Sequence, residues 1–528
     1  MTLQNNYSII PKPLSIQYRP GFFRCSGLPK IKEASGFQNE AALFSWQLRQ
    51  TWGDETCDCG VIRLVKTKSQ PEENSFRADE FYKLEILPDE IIISAAAGAG
   101  AYRGLQVLRQ LFLSGISVGE AGCAGRSGIT GEAGSAFSIS CGLIEDRPRF
   151  SWRGFMLDTS RHFYSAGFIK KLLDALSLQH INIFHWHLTD DQGWRLPVDK
   201  YPLLTEIGSK RREHRLGDEF YGGHYTKEEI RDIVAFAAAR HIEVVPEVDL
   251  PGHASAILAS YPGLGCTGGP YRVEDRFGIF EDVLCAGNDD IFPLAEAVFD
   301  SLAELFPSRY VHIGGDEVRF NRWAKCPRCR RRLEELGLAK APQLQSWITS
   351  RLARMLKERG KTAIGWEEVL ENTEKFPLPE DVVIQSWRGE EGGNRATAQG
   401  HRIIMSPENH GCYLDRRHVD KPEEPGRLSV GTITQAFNMN PVTEKMDAAS
   451  TSLVLGGQGN LWSEVIYAGK IAEYMIFPRI CAIAEAVWSE KESGISKEDG
   501  LEDFAKRLEV HQLRLDKLGL LQYRGALE

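Results

Sequence analysis

Asp316 and Glu317 stand next to the end of the segment VHIGGDEV, where two adjacent carboxylates follow a short apolar run. Such a pair suits proton transfer, because like charge and partial burial raise at least one carboxyl pKa toward neutrality. A shared metal ion or a solvated acidic pair are the plainer readings of the segment alone. HWHLTDDQGWR, from His185 to Arg195, gathers two histidines, two aspartates, two tryptophans and an arginine, and PEVDLPGHA, from Pro246 to Ala254, adds His253 and two more carboxylates. His185, His187 and His253 therefore define a rival mechanism, a metal-dependent hydrolase. Trp366, Trp387, Tyr413 and Trp462 tilt the balance, since large rings after successive apolar segments build a pocket for a flat, ring-sized ligand rather than a metal centre. Sugar rings present flat C–H faces to such aromatics, so carbohydrate is the expected substrate class.

These residues need elements that bring them to one place. Eight short apolar runs follow one another: WRGFMLDTS, INIFHWHL, IEVVPEVD, YVHIGGDE, TAIGWEE, DVVIQSW, RIIMSP and SLVLGGQGNLW. Stretches of helical periodicity lie between several of them, including FIKKLLDALSLQH, KEEIRDIVAFAAARH, PLAEAVFDSLAELF and APQLQSWITSRLARMLKERG, and AEYMIFPRICAIAEAVW follows the eighth. Strand and helix alternating eight times predict an α/β fold of the (β/α)8 TIM barrel type. Asp158, Asp190, Glu247, Asp249, Asp316, Glu317, Glu367, Trp387 and Glu464 all fall at the C-terminal ends of these runs, the rim at which barrel enzymes carry their active sites. Upstream, VIRLVK, FYKLEIL, EIIISAAA, the helical GAYRGLQVLRQLFL and FSISCGLI read as a small α+β unit between about Val61 and Cys141. Gly and Ser crowd the stretch from Ser114 to Ser135, and the texture changes at Pro148. The expected division is a small α+β domain over 1–147 and a barrel with a C-terminal helical tail over 148–528.

Composition narrows the classes. The 528 residues are 42% hydrophobic and 26% charged, which is ordinary globular usage and excludes disordered and fibrous classes. A net charge of −9 without a long Lys/Arg run removes the footprint of a nucleic-acid binder. No apolar stretch is long enough for a membrane span, and MTLQNNYSIIPKP lacks a charged region followed by an apolar one. As written the chain reads as cytoplasmic, and as secreted or periplasmic if a leader has been trimmed. Eleven cysteines is an odd number, so at least one lacks an intramolecular partner. Cys326 and Cys329 form a lone CPRC with no second CxxC or histidine pair to complete a zinc site, while Cys266 and Cys285 flank a Gly-rich loop and are candidates for a bridge. No metal and no cofactor are expected.

DTSRHF, HWHLTDDQGWR, PEVDLPGHA, HIGGDE, GWEE, QSW and NLWSE, in this order from about Pro148 to Trp488, resemble β-N-acetylhexosaminidases of glycoside hydrolase family 20. GAYRGLQVLRQL is similar to the small α+β domain that often precedes such barrels. The resemblance implies a retaining exo-hydrolase of terminal β-linked GlcNAc or GalNAc in which the substrate's 2-acetamido oxygen attacks C1; the general description of glycosidases already sets this family apart from the two-carboxylate scheme. It implies that Glu317 is the general acid and base, that Asp316 orients the acetamide N–H, and that Tyr413 hydrogen-bonds the acetamide oxygen. Asp190 and His253 would tune the general acid. Arg161 and Glu464 would hold the nonreducing end, Asp415 would accept a sugar hydroxyl, and Trp366, Trp387 and Trp462 would wall the acetamide. One departure stands out: the family's further Trp between Asp415 and Pro441 is missing, for Gly431 to Phe437 reads GTITQAF, and that Trp serves the leaving-group side. An intact Asp316-Glu317 pair argues against a noncatalytic sugar-binding barrel.

Overall fold

The computed structural model describes residues 7–53, 56–68, 75–114, 137–213, 219–417, 426, 429–491 and 494–525. The Gly- and Ser-rich stretch beyond Ser114 lies outside the described residues. A mixed six-stranded sheet comes first, built from β1 (Ser15–Cys25), β2 (Leu28–Ala34), β3 (Thr56–Lys66), β4 (Tyr82–Ile86), β5 (Glu90–Ala95) and β6 (Phe137–Asp146). Its spatial order is β1-β6-β4-β5-β3-β2. Two long helices accompany it, α1 (Gln38–Trp52) and α2 (Gly98–Ser114), with a short helical segment at Ser75–Glu80. The sheet therefore begins well upstream of Val61. The alternation of SIQYRPGFFRC is interrupted because the pairing of β1 with β6 shifts register between Tyr18 and Phe22, around Pro20 and Gly21.

Helix α2 is buried on all sides from Gly100 to Leu113, which only a helix packed between two layers sustains. Its polar side chains carry partners accordingly. Arg103 meets Glu80 at 2.9 Å and Gln106 donates to Gln47 at 2.9 Å. Arg109 donates to Asp174 at 2.8 Å, and Gln110 donates to the carbonyls of Ile10 and Leu178. Asp174 and Leu178 belong to the second layer, the barrel.

The eight expected runs become eight parallel strands: β7 (Trp152–Asp158), β8 (Ile183–His187), β9 (Glu243–Glu247), β10 (Tyr310–His312), β11 (Thr362–Trp366), β12 (Val383–Ser386), β13 (Ile403–Met405) and β14 (Val454–Leu461). β14 pairs with β7, and the barrel closes. Around it run α3 (Ala166–Ser177), α4 (Lys227–Ala238), α5 (Ile291–Leu305), α6 (Pro327–Glu335), α7 (Gln343–Glu358), α8 (Glu391–Ala398) and α9 (Arg479–Trp488). Helix α4 starts on a capping box between Thr226 and Glu229. AEYMIFPRICAIAEAVW is two helices, not one: the first ends at Ile476, and Pro478, which has no N–H to give to the preceding turn, separates it from α9. A last helix, α10 (Lys497–Lys517), clasps both layers, with Arg507 on Glu485 and the Ile9 carbonyl and Arg514 on the carbonyls of Tyr7 and Ser8.

Strand alternation sorts the barrel's side chains. In β8, Phe184 and Trp186 join the core shared with the helices, whereas Ile183 joins Trp152, Val245, Tyr310, Ile364, Val383 and Ile404, one residue from each of seven strands, in an apolar cluster of its own. Above that cluster the interior turns polar. Gln458 accepts from the Trp152 indole at 3.1 Å and contacts His185 at 2.9 Å, and Gln385 donates to Ser406 at 3.0 Å. The polar layer is the floor on which the rim residues stand. Among the described residues no helix is long and apolar enough to cross a membrane.

Candidate active site

Beyond β10 the chain turns through Gly314 and Gly315, at φ +66° and +95°, and Glu317 itself takes a left-handed φ of 52°. A Cβ on Gly314 would lie 1.8 Å from Asp249 Oδ1, so the close approach of the two loops requires glycine there. The Asp249 carboxylate accepts the Gly315 N–H at 2.9 Å and Gln345 donates to the Gly315 carbonyl at 2.6 Å, fixing the turn from both sides. A non-glycine residue held at positive φ is a local strain that its surroundings must pay back, and such residues concentrate at functional sites. The turn buries Asp316 and leaves Glu317 the more exposed of the two, their side chains being 12% and 28% accessible.

Both carboxyls meet one imidazole nitrogen, since His253 Nε2 lies 3.8 Å from Asp316 and 3.6 Å from Glu317. Burial, with the Asp249 carboxyl next, pushes the Asp316 carboxyl well above its usual range, and burial pushes Asp249 up to about 6. Two buried carboxyls side by side favour sharing one proton. On its other edge, His253 Nδ1 is 3.1 Å from Asp190 and 3.0 Å from Asp191. Burial opposes charge on this ring, but the Asp190 carboxylate and the other carboxyls around it hold His253 well above the ordinary histidine range. Asp191 is itself fixed by the backbone and hydroxyl of Ser255 at 2.9 and 2.5 Å.

Asp190 also receives Arg161 at 2.7 Å and His187 at 3.0 Å. Against the cost of burial, Arg161 and His253 keep the Asp190 carboxyl well below its normal range. Asp158, at the end of β7, accepts the backbone N–H groups of Ser160, Arg161 and Ser463 and so orders the DTSRHF turn and the NLWSE turn together. Arg161, buried, feels the charges of Asp190, Asp158 and Glu464. One layer down, Glu247 takes the His187 ring at 2.6 Å and the Trp366 indole N–H at 3.0 Å, with His185 and His312 each 2.9 Å away. Burial alone would raise the Glu247 carboxyl, yet His312, His187 and His185 together hold it well below its usual value.

The four rings form one wall. Trp366 and Trp462 have centroids 5.9 Å apart, Tyr413 and Trp462 6.3 Å, and Tyr413 stacks on Trp387 at 6.2 Å with 10° between the planes. Arg161 lies 4.9 Å over Trp462, tying this wall to the charged network. Trp387 is held by its indole N–H on Glu368 at 3.1 Å and by its backbone on Glu367 at 3.0 Å. Burial, and then the Asp316 charge, push the Glu368 carboxyl up to about 8, and Tyr413, pushed well up by burial, also feels Asp316 and Asp415.

Asp316, Glu317, His253, Asp190 and Arg161 are thus joined by direct contacts, Trp366, Trp387, Tyr413 and Trp462 by ring contacts, and Asp415 and Glu464 by charge. The rival trio does not meet as one cluster: His185 groups with Glu247 and His312, whereas His253 groups with Asp190 and Asp191. Glu247, Asp249 and Glu368 stand in motifs the sequence singles out, yet their place as supports of the site needed the structure. Ser255 and Gln345 carried no signal. The CPRC reading requires correction, for Cys266 and Cys285 are its companions: the sulfurs of Cys266, Cys285, Cys326 and Cys329 all lie within 4.8 Å of one another, and all four are free thiols.

Comparison with known proteins identifies the family and the fold. Residues 150–491 match the family model for the glycosyl hydrolase family 20 catalytic domain, and residues 6–147 match that for its domain 2. A beta-hexosaminidase of Porphyromonas gingivalis is 38% identical over 444 residues, which are 84% of this chain; the match spans only 54% of that protein's length. One of Vibrio furnissii is 35% identical over 492 residues, covering 90% of this chain and 76% of that protein. The crystal structure of an exo β-N-acetylglucosaminidase from Vibrio harveyi with N-acetylglucosamine superposes with a TM-score of 0.82 at 32% identity, over 98% of this chain and 78% of that one.

Proposed function

Given that the chain belongs to glycosyl hydrolase family 20, we propose that it is a beta-hexosaminidase, a retaining exo-enzyme releasing terminal β-linked GlcNAc and GalNAc with the substrate's acetamide as nucleophile. The observation that carries the mechanism is the convergence of Asp316 and Glu317 on one imidazole nitrogen. A double displacement through a protein ester needs two carboxyls about 5 to 5.5 Å apart across the scissile bond, a scheme from which substrate-assisted family 20 enzymes depart. With Glu317 as acid and Asp316 as its neighbour, the nucleophile in this reading is the acetamide, folded under C1.

Glu317 delivers its proton to the glycosidic oxygen as the C1–O bond breaks and the acetamide oxygen bonds to C1. With the proton that the buried pair shares resting on Asp249, Asp316 accepts the acetamide N–H and balances the positive oxazolinium, while the Tyr413 hydroxyl donates to the acetamide oxygen. Water then attacks C1, gives its proton to Glu317, and the ring opens to the acetamide with net retention. Trp366, Trp387 and Trp462 pack the acetyl methyl. Arg161, Asp415 and Glu464 hold the sugar hydroxyls, and their burial at the end of the site supports exo action. We place the division of the chain at Pro148, with the α+β domain over 1–147 and the catalytic barrel beyond it.

Fluorinating the acetyl methyl withdraws charge from the attacking oxygen. The rate is expected to fall with each fluorine, and a β-glucoside without the acetamide is expected to be nearly inert. A flat series, or a glycosyl ester trapped on Asp316 or another carboxylate in intact-mass spectra during turnover, overturns the mechanism.

A further inference from the structure

Away from the sugar site, a loop and a helix that are 41 or more residues apart in sequence place four cysteines together. Cys266 and Cys285 stand at the base of the loop that follows β9, where Gly265 bridges Leu284 and the Cys285 N–H donates to the Leu264 carbonyl at 2.8 Å. Cys326 and Cys329 come from CPRC: Cys326 is the N-cap of α6, Pro327 fixes its first turn, and Cys329 sits three residues on, so both sulfurs gather at the helix start. The two segments touch at backbone level, since a Cβ on Gly287 would lie 2.2 Å from the Arg328 carbonyl carbon and Arg328 donates to the Gly265 carbonyl at 2.6 Å.

The sulfur spacing is informative. Cys285 Sγ is 3.8 Å from Cys326 and 3.5 Å from Cys329, and Cys266 Sγ is 3.8 Å from Cys329. A Zn–S bond of about 2.3 Å in a tetrahedron sets sulfurs about 3.8 Å apart. A disulfide needs about 2.0 Å and would divide the four into two short pairs, whereas Cys285 here stands nearly midway between both CPRC sulfurs. Three of the four residues are buried, so a bound ion would be closed off from solvent. Arg328 supplies positive charge beside the cluster.

We propose that Cys266, Cys285, Cys326 and Cys329 form a closed tetrathiolate site for one structural zinc ion, clamping the loop after β9 to the helix after the Asp316-Glu317 turn. Binding releases the thiol protons to solvent and leaves the metal no open position. The clamp supports the sugar site from a distance: in the same loop the Glu274 N–H donates to the Asp191 carbonyl at 3.0 Å, and the Arg276 carbonyl accepts from Gln192 at 2.8 Å. The cysteines are therefore positioning residues, and the proposal stands independently of the reaction assigned above.

The test measures metal in the full chain purified under reductant without chelator. About one zinc per chain is expected, with loss of that zinc in a Cys285→Ala/Cys329→Ala variant. Replacement by cobalt(II) is expected to give the intense near-ultraviolet sulfur-to-cobalt absorption and the visible bands of a tetrahedral thiolate site, a signature that a purely packing role for the cysteines does not produce. Four freely titrating thiols with no metal, an intact mass showing two disulfides, one iron in place of zinc, or zinc retained by the double variant would each overturn the proposal.

Discussion

At the scale of single residues the decisive contrast lies between neighbours. Asp316 is buried beside Asp249, whereas Glu317 is turned outward by a left-handed backbone and reaches His253 from the open side. The group that must exchange protons with both substrate and water is the accessible one. Glu317→Gln is expected to keep the fold, because the side chain retains its shape, and to lower turnover of an unactivated β-GlcNAc disaccharide by about 10²- to 10⁴-fold. The loss is expected to shrink for a leaving group that needs no proton, and steady-state rates on the two substrate types check it. The carboxylates, histidines and rings of this site were readable from residue types and order, because chemistry restricts which residues serve. The positive φ of Glu317, the grip of Gln345 and the meeting of four cysteines were not, for each depends on contacts between segments distant in the chain.

At the scale of elements, the eight strands were legible because each begins with an apolar run and ends in polar or aromatic residues, a pattern that survives burial on both faces. β1 was not, since its register shift and Pro20 destroy the alternation that identifies a strand. Between β10 and the catalytic pair, sequence shows only two glycines, while the structure shows why they are there. Gly314→Ala places a methyl against Asp249 Oδ1 in a left-handed conformation that disfavours alanine. The turn must then shift, and Asp316 and Glu317 shift with it. A displacement of about 1 Å in a reacting group costs about 100-fold in rate, so a fall of that order in kcat is expected with a smaller change in KM. Unchanged kinetics in a folded Gly314→Ala variant would show that the turn has room to relax.

At the scale of the whole molecule, the sheet and barrel are joined through charge as well as apolar packing. Glu80 receives Arg103 of α2 at 2.9 Å and Arg153 of β7 at 2.5 Å. Arg153 also donates to the carbonyls of Phe150 and His180, and Arg103 to that of His241, so the network spans the N-terminal end of the barrel, opposite the catalytic rim. Burial opposes the Glu80 charge, but Arg153 and Arg103 outweigh it and lower its pKa below the usual glutamate value. Glu80→Gln keeps the shape and leaves two buried guanidinium groups without a counter-charge. Removing one partner of such a network costs about 3–5 kcal/mol, a large share of ordinary domain stability. A group with a depressed folded pKa contributes stability that is fully present above its unfolded value, near 4.5, and that fades as pH falls through the folded one. The stability gap between wild type and Glu80→Gln is therefore expected to be full at pH 7, to narrow as pH drops below about 4.5, where the unfolded wild-type carboxyl takes up a proton, and to have closed once pH is below the lower folded pKa, where the native carboxyl is neutral like the amide. Denaturant unfolding across that pH range measures the gap, and activity per folded molecule at pH 7 is expected to stay near wild type. A gap independent of pH would show that packing around Glu80, and not its charge, joins the two layers.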